Sequence, residues 1–166
     1  MKKRYIVIIS IILLILDTSL CPFISIKGAY PSLLFVFAVS YAVINGPSKG
    51  IGIGIFSGAL QDIFFTQSFG INVLTNLIIC YIVGVIGEGI LREKKLIPLF
   101  SVLIGSIVKV FLIYIIMKSL FDVNSDLGIT IPYAIYNAVI TMFGYKKLYK
   151  LCTSKEDKYS WKFGKS

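Results

Sequence analysis

The chain has 166 residues, 57% of them hydrophobic and only 15% charged, with mean hydropathy +0.86. A water-soluble domain sits nearer roughly 45–50% apolar and about 25% charged, and a small globule cannot bury such an excess, so a soluble enzyme and a disordered chain are both excluded. The net charge is +9 and histidine is absent, which removes His-metal sites and His-based acid–base or nucleophile-pair chemistry.

At about 20 residues per crossing, the length allows roughly five or six membrane spans and no sizeable extramembrane domain. Lys2, Lys3 and Arg4 precede the apolar run Tyr5–Leu16, which resembles the start of a signal peptide. Thr18-Ser19-Leu20-Cys21 hints at a lipoprotein box. Leu20, however, fills the position where a small residue is expected, so an uncleaved first span over 5–25 is the better reading. A second span is expected over 31–45, opening with Pro31 at a helix start. Asn45-Gly46-Pro47-Ser48 is a turn signal. A third span follows over 50–65 and a fourth over 70–91; the short second and third could form a tight hairpin. After the charged break Arg92-Glu93-Lys94-Lys95 comes a fifth span over 96–121. The polar loop 122–126 offers Ser125 or Asp126 as N-cap of a sixth span over 127–145.

The expected fold is an all-α integral membrane protein, a six-transmembrane-helix bundle with both termini cytoplasmic. Residues 1–147 form one membrane domain and 148–166 a basic cytoplasmic tail. Charge placement sets the orientation. With the N-terminus inside, inner segments hold Lys2, Lys3, Arg4, Lys49, Arg92, Lys94 and Lys95, then the lysines from Lys146 onward, 14 of the 17 basic residues. Outer loops hold only Lys27, while Lys109 and Lys118 lie within the fifth span. This positive-inside pattern favours an even span count. In the tail, Lys155, Lys158, Lys162 and Lys165 interleave with Tyr159, Trp161 and Phe163. That pattern suits anionic lipid or a cytoplasmic partner, and the segment is too short to suggest nucleic acid.

Gly50, Gly54 and Gly58 recur every four residues, with Asp62 one step further. Such a face lets another backbone approach closely. Ser101, Gly105 and Lys109 repeat the spacing in the fifth span. A charge at the middle of a span is costly unless paired or hydrated. Asp17, Asp62 and Lys109 all fall roughly 18–20 Å along helices that start inside. They are expected to form an intramembrane charge cluster in which Lys109 pairs with Asp62, Asp17 or both. Glu88 stands four residues before Arg92, as in a helical ion pair, and Lys118 is placed to snorkel. Asn72, Thr75, Asn76, Asn137 and Thr141 with Tyr133 and Tyr136 suggest interhelical hydrogen bonds, or a pocket open to the outside if they converge. Cys21, Cys80 and Cys152 form neither a CxxC pair nor a disulfide framework. No phosphate loop, metal-spaced cluster or nucleophile–base pair is present in the sequence, so no cofactor and no catalysis are expected.

The stretch Gly50-Ile51-Gly52-Ile53-Gly54-Ile55-Phe56-Ser57-Gly58-Ala59-Leu60-Gln61-Asp62, with Phe69-Gly70-Ile71-Asn72-Val73-Leu74 after it, resembles the signature of the rod shape-determining protein MreD family. Tyr30-Pro31-Ser32-Leu33-Leu34 resembles the family's P-D-L-L segment, with Ser32 where an aspartate is common. The matching motif positions are Gly58, Asp62, Gly70 and Asn72. The resemblance implies a non-enzymatic inner-membrane scaffold of the cell-elongation complex that builds lateral peptidoglycan. It implies as partners an MreC-like protein, the MreB cytoskeleton, RodA and an elongation transpeptidase. It also implies an architecture similar to the S-component of energy-coupling-factor transporters. The alternative function is therefore a substrate-binding S-component for a vitamin, although the Ile/Leu-rich first span lacks the small-residue face that reading requires. An intramembrane enzyme using Asp17 and Asp62 is the third and weakest alternative.

Overall fold

The computed structural model describes residues 3–25, 28–65, 70–89, 96–121 and 127–153. Every secondary-structure element among them is helical. Helix α1 spans Lys3–Ser19, α2 Leu33–Asn45, α3 Pro47–Phe65, α4 Ile71–Gly89, α5 Leu96–Phe121 and α6 Thr130–Thr153. Short 3-10 turns, Cys21–Ile24 and Leu127–Ile129, follow α1 and precede α6.

Three stretches among the described residues are long and apolar enough to cross a membrane. They are Ile71–Glu88 in α4, Leu96–Leu120 in α5, and Leu127–Cys152, which joins the second 3-10 turn to α6. α2 is a shorter apolar helix of 13 residues, about 20 Å long by its rise. It is apolar all round, which marks a helix buried on every side. It touches each of the other five helices, and every residue from Leu34 to Ile44 is buried. The outer faces are apolar as well. Ile8, Ile12 and Ile15 on α1, Ile82 and Ile86 on α4, Ile104 and Ile115 on α5, and Ile135 and Met142 on α6 are all exposed. Asp17, Gln61, Asp62, Asn76, Lys109 and Asn137 are buried within. An apolar exterior around a polar centre is the distribution a bilayer favours.

The element bounds differ from the expected spans in ways that follow from local chemistry. The first span was expected to run to Ser25, yet α1 stops at Ser19. Pro22 in the following 3-10 turn has no N–H with which to continue a helix. Pro31 does not open α2; Ser32 is its N-cap and accepts the Phe35 N–H at 3.4 Å. The expected 45–48 turn contracts to one residue, Gly46, with φ +85°, after which Pro47 opens α3. A proline suits the first helical position, because its missing N–H would have no partner there. α6 starts at Thr130 and runs eight residues beyond Tyr145, into the segment expected as tail. Tyr145, Leu148 and Cys152 on that extension are buried in the same core cluster as Tyr41 and Ile44 of α2. Lys27, Arg92, Lys94, Lys95 and the proposed caps Ser125 and Asp126 lie outside the described residues, as do tail residues Lys155, Lys158, Trp161, Lys162 and Lys165.

Candidate functional site: a polar layer at two helix starts

The first four N–H groups of a helix have no partner within it, and where water is excluded each one left bare is costly. Asp17, near the end of α1, supplies acceptors for α2. Its Oδ1 accepts the Leu33 N–H at 2.7 Å and its Oδ2 the Leu34 N–H at 3.0 Å. The Ser32 hydroxyl and the Cys21 thiol donate to the same carboxylate at 3.4 and 3.5 Å. Asp62, near the end of α3, does the same for α4. It accepts the N–H groups of Gly70, Asn72 and Val73 at 2.9, 2.9 and 3.0 Å, and the Asn72 side-chain amide at 3.1 Å. Both carboxylates therefore sit at the positive end of a helix dipole and receive several N–H groups at once.

The glycine face of α3 makes this geometry reachable. A Cβ at Gly50 would stand 2.6 Å from the Cys80 carbonyl oxygen, and one at Gly54 2.8 Å from that of Asn76. At Gly58 it would overlap the backbone of Asn72 and Val73. Each step of four along α3 thus meets a step of four back along α4. Gly58 brings the start of α4 within reach of Asp62, so Gly58, Asp62, Gly70 and Asn72 form one structural unit. Gly70 adopts φ +104°, a conformation that favours glycine. On α5, Gly105 faces Ile79 and Phe35, and Ser101 is buried.

The expected ion pair does not form. Among the described residues, Lys109 bonds neither aspartate; its ammonium donates to Gln61 Oε1 at 2.7 Å and sits 4.6 Å over the Phe35 ring. The physical reason is that both carboxylates are already engaged by helix starts. Lys109 instead meets Gln61, the residue next to Asp62, and lines one cavity with Asp17. Gln61 Oε1 also accepts the Asn76 amide at 2.9 Å, and its Nε2 donates to Ser32 Oγ at 2.9 Å. Two donors facing Oε1 fix which way this amide points. Asn76 donates also to Ser57 at 3.2 Å. Asn137 of α6 completes the layer, accepting the Ser32 N–H at 3.0 Å and donating to Ser106 at 3.0 Å.

Sequence reasoning missed Gln61 and Ser106 and undervalued Ser32. An amide beside Asp62 in an apolar helix, four residues after Ser57, was the available signal for Gln61. Ser32, standing where an aspartate is common, does not leave its position idle. It donates to Asp17 and accepts from Phe35 and Gln61, using the full capacity of a hydroxyl. Of the remaining expectations, Tyr136 bonds the Ile24 carbonyl at 2.8 Å, and Thr75 and Thr141 bond carbonyls of their own helices. Lys118 is exposed beside the Tyr114 hydroxyl at 3.5 Å, and Glu88 is exposed against Gly46. The three cysteines are buried and form no disulfide among the described residues; Asn45 Nδ2 donates to Cys152 Sγ at 3.7 Å.

The family profile described as rod shape-determining protein MreD matches residues 2–155 of this chain. Neither the curated proteins nor the solved structures searched gave a match.

Proposed function

We propose that this chain, which belongs to the rod shape-determining protein MreD family, is a non-enzymatic scaffold of the machinery that builds lateral peptidoglycan during cell elongation. The family match over residues 2–155 is the observation that carries this reading. Membership associates the chain with the membrane and with rod shape. The finer reading is a six-span protein of the cytoplasmic membrane with both termini inside, and a single membrane domain followed by a basic tail that meets anionic lipid. The charge distribution supports that orientation. The partners it implies are an MreC-like protein, the MreB cytoskeleton, RodA and an elongation transpeptidase.

The packing supports one place for a partner helix. The small-residue face of α3 is occupied by α4. The face of α5 is less filled: Ser101 and Gly105 line an apolar groove of about 310 Å³ between α4 and α5, walled by Ile79, Ile82, Phe100 and Ile104. A small-residue groove of this kind admits a transmembrane helix at close range. We assign it to the single span of the MreC-like partner.

The test is copurification of tagged protein from native membranes. The MreC-like protein should be recovered with the wild type and lost with Ile104→Trp, which adds bulk at an exposed wall of the groove, while that variant still elutes as a folded, monodisperse species. Recovery of no such partner with the wild type would overturn the assignment.

A further inference from the structure

At the end of the bundle where α1 and α3 finish and α2 and α4 begin lies a cavity of about 220 Å³. Asp17, Ser32, Gln61, Lys109 and Tyr133 line it together with an apolar wall that includes Ile113. We propose that this cavity binds a small amphiphilic oxyanion, a carboxylate or phosphate carried on a short apolar body. The inference stands independently of the partner-helix assignment.

The sign of the ligand follows from hydrogen-bond capacity. An ammonium carries three donors. Among the described residues Lys109 gives one to Gln61, turns one side to the Phe35 ring at 4.6 Å and meets no second hydrogen-bond acceptor, although it is buried and lines the cavity. Neither carboxylate offers it a direct bond, because α2 engages Asp17 and α4 engages Asp62. A buried cation with unfilled donors is costly, and an oxyanion on those donors forms charge-assisted hydrogen bonds that remove the cost. A cation is disfavoured by the lysine itself. The Gln61 amide oxygen already accepts two donors, and the Ser32 hydroxyl is fully used.

Size and wall chemistry set the rest of the ligand. A dry cavity of about 150 Å³ holds a benzene ring, so about 220 Å³ accommodates a ring or short chain with its acid group. Val110, Ile113 and Ile129 supply apolar contact beside the lysine. Such an anion has two sources, a free small acid or the head group of an anionic phospholipid.

The experiment is thermal unfolding of the full chain in neutral detergent. Four additions are compared: benzoate, its neutral counterpart benzyl alcohol, phosphatidylglycerol and phosphatidylcholine. Saturable stabilisation by benzoate but not by benzyl alcohol supports the proposal with a free acid as source. Stabilisation by phosphatidylglycerol beyond phosphatidylcholine supports it with a head group as source. In either case Lys109→Met should weaken half-saturation by about tenfold to a hundredfold, the loss of one charge-assisted bond. Ile113→Trp keeps the lysine and fills the cavity, and should abolish the response. Equal effects of benzoate and benzyl alcohol together with no preference for phosphatidylglycerol overturn the proposal, as does an undiminished response in the folded Ile113→Trp variant. The wild-type comparisons decide the matter even if Lys109→Met fails to fold.

Discussion

Lys109 reaches Gln61 Oε1 at 2.7 Å, so an amide rather than a carboxylate anchors the buried lysine. Gln61 thereby ties α3 to α5, and through Asn76 and Ser32 to α4 and α2. One neutral side chain spreads a single positive charge over the centre of the bundle. Gln61→Leu should therefore destabilise more than its surroundings suggest, because it strands the Lys109 ammonium. In a double-mutant cycle, Gln61→Leu and Lys109→Met should couple by about 1–3 kcal/mol. Unfolding of the four proteins in detergent checks this; additive effects would show that the bond is energetically idle.

The carboxylates act on backbone rather than on side-chain charge. Asp62→Ala leaves the N–H groups of Gly70, Asn72 and Val73 without that acceptor, and should cost about 2–4 kcal/mol. Asp62→Asn keeps one acceptor oxygen and should cost less. Asp17→Ala should resemble Asp62→Ala, because it strips Leu33 and Leu34 in the same way. The measurement is the unfolding midpoint of each purified variant.

Two glycines of the same helix should respond oppositely. Gly58→Ala drives a methyl group into the backbone of α4 and should cost about 1–3 kcal/mol. At Gly52 a Cβ meets nothing within 4 Å. Gly52→Ala should be neutral or stabilising by up to about 1 kcal/mol, since alanine is the better helix former. Membrane abundance and unfolding midpoint of the pair separate close packing from a general intolerance of substitution.

Orientation is open to chemical labelling. In a background with Cys21, Cys80 and Cys152 replaced by alanine, Ser25→Cys should react with an impermeant maleimide on intact spheroplasts. Lys49→Cys should react only after permeabilisation. The reverse pattern would invert the topology.

Helix existence was legible from hydropathy, and a close-packing face on α3 from the spacing of Gly50, Gly54 and Gly58, but not that α4 occupies it. The similar distance of Asp17, Asp62 and Lys109 along their helices was legible too, because it is a property of sequence. Their bonding was not. The donors that decide it are backbone N–H groups at Leu33, Leu34 and Val73, which residue types do not display. The extension of α6 to Thr153 was equally hidden. It rests on Tyr145, Leu148 and Cys152 meeting α2, a contact between segments far apart in the chain.

The most direct measurement is the length-to-width ratio of cells depleted of this chain and supplied with wild-type protein or none. A scaffold of rod-shape synthesis requires that the ratio fall toward unity on depletion and return with the wild type. Rods of unchanged proportions after depletion would contradict it.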